Sequence, residues 1–195
     1  MAAFRQFLAG LRILLVLTVV LGIGYPLLVL GIGQLAFPGQ ANGSLVQAGG
    51  QDVGSALLGQ SFTGPRWFHP RPSAAGNGYD PMASGGTNLG PNSPTLNRDI
   101  RRARAAVAAQ DRVPPSAVPP DAVTSSGSGL DPDISPAYAY QQVARVAAIH
   151  RLDPSRVRRI VAANVRERIL GFLGEPHVNV LELNLALVRE ARKGR

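Results

Sequence analysis

The sequence predicts an α+β fold in which a single N-terminal transmembrane helix precedes one loop-rich extracytoplasmic α+β domain. Three observations predict it: a charge-free apolar stretch near the N-terminus, a high content of 22 Gly and 16 Pro, and helix-like and strand-like periodicities that follow one another in the second half. A chain of 195 residues is long enough for one anchor and one domain with its own hydrophobic core. Two large catalytic domains are therefore excluded.

The predicted anchor runs from Ile13 to Gly33, which are 21 residues without a charge. A helix of this length spans about 32 Å, close to the ~30 Å hydrocarbon core of a bilayer. Pro26 interrupts the stretch, but a membrane helix tolerates a proline where neighbouring helices satisfy the freed carbonyls. We therefore expect residues 13–33 to cross a membrane, with Ile13, Pro26 and Gly33 as part of the anchor.

The direction of the anchor follows from charge. Arg5 and Arg12 are the only charged residues before Asp52. Basic residues favour the cytoplasmic side, so residues 1–12 are expected in the cytoplasm and residues 34–195 outside, in a periplasmic domain. A cleaved signal peptide is the alternative, but its apolar region would be shorter than this one, and that interpretation exports the remainder as well.

Composition excludes several classes of function. The chain has no Cys, which excludes a disulfide framework, a thiolate zinc site, an iron–sulfur cluster and a cysteine nucleophile. Its only lysine is Lys193, so a phosphate-binding loop with its lysine is absent. The net charge of +8 could suggest nucleic acid, but an exported domain with one Trp rarely has that partner. We expect no nucleic-acid partner.

The exported part begins with an irregular region over residues 38–93, which is dense in Gly, Pro, Asn and Ser. Further on, Ser135-Pro136 and Asp153-Pro154 each place a capping oxygen before a proline, which predicts two helix starts. Gly171 is the expected end of the second of these helices. The patterns predict helices over 96–110, 136–150, 154–170 and 183–193, and a strand over 178–183.

Three acidic residues, Asp121, Asp131 and Asp133, lie in a stretch of 32 residues (113–144) without a base. They could attract a hard cation, because carboxylates and nearby carbonyls are the ligands that such ions prefer. The alternative is structural: Asp131 would form an Asx turn before Pro132, and Asp133 would start a helix. No protein-bound metal is expected, since His69, His150 and His177 lack paired ligand spacing.

A serine nucleophile is the weakest of the chemical possibilities. Ser126-Gly127-Ser128-Gly129 resembles a nucleophile turn but lacks its leading glycine. A membrane-anchored exported serine hydrolase that uses Ser128 is therefore one alternative function, and a periplasmic ligand-binding domain is another.

Several long strings resemble one known family, the C subunits of the bacterial Kdp potassium-transporting ATPase. The resemblance covers nearly the whole chain. The strings are Tyr25–Val29, Gln40–Leu45, Gly59–Phe62, Phe68–Ala74, Ser84–Pro91, Thr124–Pro132 and Asn179–Leu187.

This resemblance implies an accessory subunit of an inner-membrane complex, and no catalytic site in this chain. The partners it implies are a potassium-conducting A chain, an ATP-hydrolysing B chain and a small F peptide. The Asp-Lys-Thr-Gly-Thr phosphorylation motif expected of a pump subunit is missing here. The subunit would assemble or stabilise the other chains, and its exported domain would cap the outer mouth of the potassium-conducting one.

The resemblance also implies a role as a catalytic chaperone that raises the ATP affinity of the pump subunit. ATP is the only cofactor it suggests, bound without firm affinity, and the residue that would touch the nucleotide is Gln142. ATP is cytoplasmic, whereas the charge argument exports Gln142. We therefore expect any effect on ATP affinity to act at a distance through the complex.

Overall fold

The computed structural model describes residues 2–193 of the chain. The chain divides into two compact units, one up to Leu45 and the other from Val46 onward. The first unit is helical, and the second combines helices with a small sheet. This mixture of helix and strand agrees with the predicted fold class.

The first unit consists mainly of one long apolar helix. It is formed by α1 (Ala2–Val19), a π-helical turn (Val20–Gly24) and α2 (Tyr25–Ala36), which together make 35 helical residues without a buried position. Its most apolar stretch of 18 residues has a mean hydropathy of 2.7, and its length and apolar character would allow it to cross a membrane. The helix extends beyond the predicted 13–33 at both ends, because neither the arginines before Ile13 nor Gln34, Leu35 and Ala36 after Gly33 interrupt helical structure.

The π-helical turn explains how the helix passes through Pro26. The Tyr25 N–H donates to the carbonyl of Val20, five residues back, so the turn is wider than an α-turn. A wider turn relieves the clash that a proline ring makes with the preceding turn. The helix therefore remains continuous, and Ile13, Pro26 and Gly33 all lie along it.

The helix ends in a compact turn. A one-turn helix, α3 (Pro38–Ala41), follows Phe37, and the Asn42 side chain donates to the Pro38 carbonyl at 2.7 Å. The side-chain amides of Gln34 and Asn42 exchange hydrogen bonds of 3.1 and 3.3 Å. The chain thus leaves the helix through an internally bonded segment.

The chain next forms a hairpin of β1 (Leu45–Ala48) and β2 (Gln51–Ser55), of which all residues but Leu45 belong to the second unit. Gly49 and Gly50, at its turn, have φ values of 63° and 81°, which glycine adopts without strain. Between β2 and Ser93 the described chain contains no further helix or strand. The predicted irregular region over 38–93 is therefore confirmed from Ala56 onward, whereas its first part contains the one-turn helix α3 and this hairpin.

Helix α4 (Pro94–Asp111) confirms the prediction for 96–110 and begins two residues earlier. The Ser93 side chain accepts a hydrogen bond from the Leu96 N–H and caps it. Arg112 ends the helix in the left-handed conformation, with φ of 56°. Two single 3₁₀ turns, Pro115–Ala117 and Pro120–Ala122, then lead towards the sheet.

The predicted helix over 136–150 is two helices, α5 (Pro136–Gln141) and α6 (Val143–His150), which meet at Gln142. Ser135 caps α5 as predicted, by accepting from the Tyr138 N–H at 3.1 Å. Asp133 does not start a helix: it lies in the short strand β3 (Asp133–Ile134). Asp131 does form an Asx turn, accepting from the Asp133 N–H at 3.0 Å.

The predicted helix over 154–170 is wrong beyond Asn164. Helix α7 (Pro154–Asn164) is capped by Asp153 as expected, but the chain then forms β4 (Val165–Arg166) and a hairpin. Val165 has a cross-strand partner in Val178, and this pairing outweighs the helical periodicity to which Val165 contributed. Gly171 therefore occupies the hairpin rather than the end of a helix.

The predicted strand over 178–183 is also wrong beyond Asn179. Strand β5 (His177–Asn179) is followed directly by α8 (Val180–Lys193). The Asn179 side chain accepts from the Glu182 N–H at 3.1 Å and so caps this helix. The capping amide overrides the alternation of apolar residues that suggested a longer strand.

The three-stranded sheet has the order β3-β5-β4 and is antiparallel. Val178, at its centre, pairs with Ile134 on one side and Val165 on the other. The hydrophobic core lies between this sheet and the helices. Its fully buried side chains include Phe68, Val146, Val157, Val161, Val178, Leu183 and Leu187.

Candidate functional site

Gln142 is fully buried where α5 meets α6, and its side-chain amide holds a distant piece of backbone. Its Oε1 accepts from the His69 N–H at 2.7 Å, and its Nε2 donates to the His69 carbonyl at 3.1 Å. A buried amide requires partners of this kind, because an unpaired polar group in the core is costly. The resemblance singled out this residue, and the structure places it inside the domain.

Asn184 on α8 binds the backbone of Phe68 in the same way that Gln142 binds the backbone of His69. Its Oδ1 accepts from the Phe68 N–H at 2.9 Å, and its Nδ2 donates to the Phe68 carbonyl at 3.0 Å. Phe68 and Asn184 are both buried. The four backbone groups of Phe68 and His69 are thus satisfied by two side-chain amides, and we call this arrangement of Gln142 and Asn184 the amide clamp.

Arg145, one helical turn after Gln142, extends the clamp into a buried ion pair. Its Nε donates to Asp111 Oδ1 at 2.7 Å, with the two side chains only 7% and 3% exposed. Its Nη1 donates to the carbonyls of Pro65 and Trp67, and its Nη2 donates to Oε1 of Gln142. Arg145 therefore fixes the segment before Phe68 to both α4 and α6.

The His69 ring bridges the same segment to α4. Its Nε2 bonds the Gly64 carbonyl at 2.8 Å, and the Gln110 side chain donates to its Nδ1 at 3.1 Å. These partners fit a neutral ring with its proton on Nε2. Burial lowers the pKa of His69, and the nearby positive charge of Arg145 acts in the same direction.

Two clefts of about 340 Å³ each flank this region. One is lined in part by Asp111, Arg112 and Arg145, and the other in part by His69 and Tyr138. Among the residues that the structure describes, no group of three or more acidic or histidine side chains could hold a metal ion. The polar side chains in this region form hydrogen bonds with one another and with the backbone of residues 65–69, and so they hold that segment in place.

The three acidic residues singled out in the sequence have separate structural partners. Asp121 accepts from the Ser135 backbone at 2.7 Å and from its hydroxyl at 3.0 Å. Asp131 forms an ion pair of 2.8 Å with Arg71. Asp133 faces His177, with 3.8 Å between Oδ2 and Nε2. Burial raises the pKa of Asp133, and the facing His177 opposes that rise.

Ser128 lies in a loop and has no histidine partner among the described residues. Its hydroxyl contacts Ser126 at 3.4 Å and accepts from the Leu130 N–H at 3.1 Å. The rings of His69, His150 and His177 bond the backbone carbonyls of Gly64, Arg66 and Glu175 instead. This geometry does not favour a serine hydrolase, which needs a base beside its nucleophile.

The loops that carried the family resemblance meet around Gly129. The Ser73 hydroxyl donates to the Gly129 carbonyl at 2.6 Å, and the Gly85 N–H donates to the Ser128 carbonyl at 2.8 Å. A Cβ on Gly129 would lie 2.6 Å from the Gly85 carbonyl oxygen, and φ is 68° there. Only glycine fits this close approach of three loops.

The sequence analysis singled out Gln142 but missed the other half of the clamp and the ion pair beside it. Asn184, Arg145 and Asp111 were not singled out as site residues, although all three are buried. A signal did exist for Asn184, which is a polar residue on the apolar side of a terminal amphipathic helix. No local signal connects Asp111 with Arg145, because their pairing depends on how two helices cross.

Comparison with known proteins gives a consistent result. The model of the KdpC family, described as the c chain of the K⁺-transporting ATPase, matches residues 7–189. Several relatives carry the name potassium-transporting ATPase KdpC subunit. The relative from Kineococcus radiotolerans is 58% identical over 94% of this chain and 93% of its own length. Those from Beijerinckia indica and Streptomyces coelicolor are 51% and 49% identical, over 89% and 98% of this chain and 88% and 96% of their own lengths.

The matched region includes most of the long apolar helix, the amide clamp and the interlocked loops. The resemblance found in the separate strings therefore extends through both compact units. The chain belongs to the KdpC family, the c chains of the K⁺-transporting ATPase.

Proposed function

We propose that this chain is a non-catalytic accessory subunit of an ATP-driven potassium uptake complex, which assembles or stabilises the channel-like and ATP-hydrolysing subunits. The observation that carries the proposal is the match of residues 7–189 to the K⁺-transporting ATPase c chain. Potassium is then the transported ion, and the partners are the A and B chains and the small F peptide.

The chemistry of the buried site supports a structural role. The side chains of Gln142, Asn184 and Arg145 form hydrogen bonds with backbone groups, and Arg145 also bonds Gln142. A catalytic group would instead face a substrate and be free to exchange a proton or form a bond. The clamp therefore serves to hold the shape of a surface that other subunits recognise.

The proposed topology is a single pass through the inner membrane, with the N-terminus in the cytoplasm. Arg5 and Arg12 precede the apolar stretch, and no acidic residue precedes Asp52. By the positive-inside bias, the second unit lies in the periplasm, where it can cap the outer mouth of the potassium-conducting chain.

Single cysteines in this cysteine-free chain test the topology. Met82 is 92% exposed in the second unit, and Ala3 lies before Arg5 in the first. A thiol reagent that cannot cross the inner membrane should label Met82→Cys in spheroplasts, and Ala3→Cys only after permeabilisation. The reverse pattern would place the second unit in the cytoplasm and overturn the proposed topology.

An attraction of cations by Asp121, Asp131 and Asp133 is a further part of the proposal. Screening over a Debye length of about 8 Å limits it to about 1 kcal/mol or less. The ion pair between Arg71 and Asp131 reduces the field of one of the three carboxylates. In the assembled transporter at low salt, Asp131→Asn and Arg71→Gln should therefore shift the apparent potassium affinity in opposite directions. No shift from either variant would contradict this part.

Any effect on ATP affinity is proposed to act at a distance. The Gln142 amide is fully buried and bonded to His69 and Arg145, so a direct contact with nucleotide would require it to leave these partners. An indirect effect requires only that the clamp keep a subunit interface in shape. The assembled transporter offers a direct comparison of these two mechanisms, through variants of both clamp residues.

A further inference from the structure

The hairpin that follows β4 carries an unusual group of exposed apolar side chains. Ile169, Leu170, Phe172 and Leu173 are 69%, 79%, 68% and 49% exposed. We call these four residues the apolar tip. Within the described part of the second unit, no other five-residue segment exposes as many large hydrophobic side chains. An exposed apolar group of this kind marks a surface that contacts a partner or a membrane.

The apolar tip has a defined backbone. Ile169 and Leu173 exchange two backbone hydrogen bonds of 3.0 Å, and the Gly171 N–H donates to the Arg168 carbonyl at 3.1 Å. The four side chains are therefore presented on a tight turn, so little conformational entropy remains to be lost when they bind.

Leu170 contradicts two local preferences at once. Its φ is 55° and that of Gly171 is 81°, the pair of positive values found in a type I′ turn. Asn or Gly is favoured at the first of these positions, both for the backbone and for contact with water. A leucine at this position contributes little to the stability of the fold, since its side chain is largely exposed. A contact outside the domain would explain its presence.

The base of the hairpin is charged and paired. Arg166 bonds Glu182 at 2.5 Å, and Arg168 bonds Glu175 at 3.1 Å. An apolar tip above a polar base is the pattern of a segment that enters a bilayer only as far as the headgroups, where arginine side chains are well placed.

We propose that the apolar tip inserts into the lipid bilayer that the N-terminal helix crosses, as a second and shallow attachment. The proposal rests on that helix spanning the membrane. Residues 37–45 connect the helix to the second unit, and nine residues reach at most about 32 Å even when fully extended. The helical turn in this connection shortens its reach. The start of the second unit is therefore tethered within this distance of the end of the helix.

A lipid surface fits the tip better than a protein pocket does. The tip is a single tight turn with largely exposed side chains, and fluid acyl chains can surround such a group without a preformed cavity. Four side chains are also few for a separate protein interface, which typically buries about 800 Å² on each partner. As an addition to an existing membrane anchor, a small apolar contact is sufficient, because the second attachment is intramolecular.

Depth-dependent fluorescence quenching tests the proposal with the full chain in nanodiscs of phosphatidylethanolamine and phosphatidylglycerol. An environment-sensitive dye on Phe172→Cys should emit at shorter wavelength than in water and lose about half of its intensity or more when the lipids carry brominated acyl chains. The same dye on Met82→Cys, which is exposed elsewhere in the second unit, should show neither effect. Equal behaviour at both positions would overturn the proposal.

A third label distinguishes failure of the tip proposal from failure of its premise, which is that the N-terminal helix spans the membrane. Dye on Leu21→Cys, within the apolar helix, should be strongly quenched. Loss of that quenching would remove the membrane anchor itself and with it the tip proposal, whereas quenching at Leu21 without quenching at Phe172 overturns the tip proposal alone. A Phe172 label that is sheltered only in the assembled transporter, and without bromine quenching, would assign the tip to a protein partner instead.

Leu170→Asn provides a variant that does not endanger folding. Asparagine suits both the positive φ and the solvent, so the melting temperature should stay the same or rise, while quenching of a Phe172→Cys label should fall by about half. A lower melting temperature with unchanged quenching would show that Leu170 serves the fold, contrary to the proposal.

Discussion

The side-chain amide of Gln142 pairs with both backbone polar groups of His69, accepting from its N–H at 2.7 Å and donating to its carbonyl at 3.1 Å. A neighbouring β-strand would offer the same two partners. Asn184 repeats the arrangement at Phe68, from a helix 42 positions further along the chain. The clamp thus gives an irregular segment the hydrogen bonding of a sheet, and it ties that segment to the α5–α6 junction and to α8.

Replacing Gln142 by leucine should destabilise the second unit strongly. The change leaves the N–H and carbonyl of His69 and one N–H of Arg145 unpaired, and each unpaired buried group costs about 1–3 kcal/mol. We expect the free energy of unfolding to fall by at least about 3 kcal/mol, and by about 2 kcal/mol or more for Asn184→Leu. Urea unfolding of the full chain in detergent, followed by the fluorescence of Trp67, measures both values.

Gln110→Leu is the matched control for this prediction. Gln110 also bonds His69, but through the ring and from an exposed position, so its loss should change the free energy of unfolding by about 0.5 kcal/mol or less. Equal effects of the buried and exposed amides would contradict the role assigned to the clamp.

Arg145→Met should be more damaging than the loss of the charge pair alone would suggest. It leaves the carboxylate of Asp111 without its cationic partner in a buried position, which typically costs about 3–5 kcal/mol. The double variant Asp111→Leu with Arg145→Met removes that unpaired charge. It should therefore be less destabilised than the sum of the two single variants, by at least about 1 kcal/mol.

The double variant should still be less stable than the unmodified chain, because Arg145 also donates hydrogen bonds to the carbonyls of Pro65 and Trp67. Arg156→Met is the comparison, since its ion pair with Glu190 is partly exposed and should contribute about 1 kcal/mol or less. Strict additivity of the Asp111 and Arg145 variants would contradict an energetic link between them.

The stability of the second unit should decrease as the pH falls below about 6.5. Burial lowers the pKa of His69 from its ordinary value of 6.5, so the unfolded chain binds a proton in a range where the folded chain does not. His69 then contributes stability above the unfolded pKa, and this stability is lost as the pH falls towards the folded pKa. The midpoint of urea unfolding, measured between pH 7.5 and pH 5, should show this slope.

His69→Gln should reduce the slope, because glutamine does not titrate. His150→Gln is the matched control: its ring bonds the Arg66 carbonyl on the same segment, so it also loses one contact to this segment. A His150 variant that flattened the pH profile as much as the His69 variant would assign the effect to the segment as a whole and not to His69.

Sequence patterns were sufficient where structure is local. The N-caps at Ser135 and Asp153 and the helix ending near Gln110 depend on neighbouring residues, and the structure has them close to where the patterns predicted. The helix predicted beyond Asn164 was wrong because Val165 pairs with Val178, 13 positions away. Periodicity within one segment carries no information on such a partner.

The clamp could not be predicted from local patterns for the same reason. Gln142 was singled out only by family resemblance, and Asn184 was not singled out, because the partners of both residues are backbone groups more than 70 positions away. Backbone groups have no sequence signature. The prolines and glycines of the first half predicted an irregular segment correctly, but an irregular segment in a core requires side chains to satisfy its backbone.

The last prediction concerns how Gln142 could influence ATP use by the assembled transporter. If the clamp acts by holding Phe68 and His69, Gln142→Leu and Asn184→Leu should both raise the ATP concentration for half-maximal activity, by similar factors of about fivefold or more. Gln110→Leu should leave it unchanged. The measurement is ATP hydrolysis against ATP concentration in the purified complex, after gel filtration has shown that each variant subunit is present in it.

The two clamp residues separate the mechanisms because they act on one segment from different elements. Gln142 lies between α5 and α6, whereas Asn184 lies on α8, so a nucleotide in direct contact with the first amide has no reason to respond to the second. A change confined to Gln142→Leu would therefore indicate direct contact and contradict an effect at a distance. An unchanged ATP dependence in both variants would show that the clamp does not influence ATP affinity and has only a structural role.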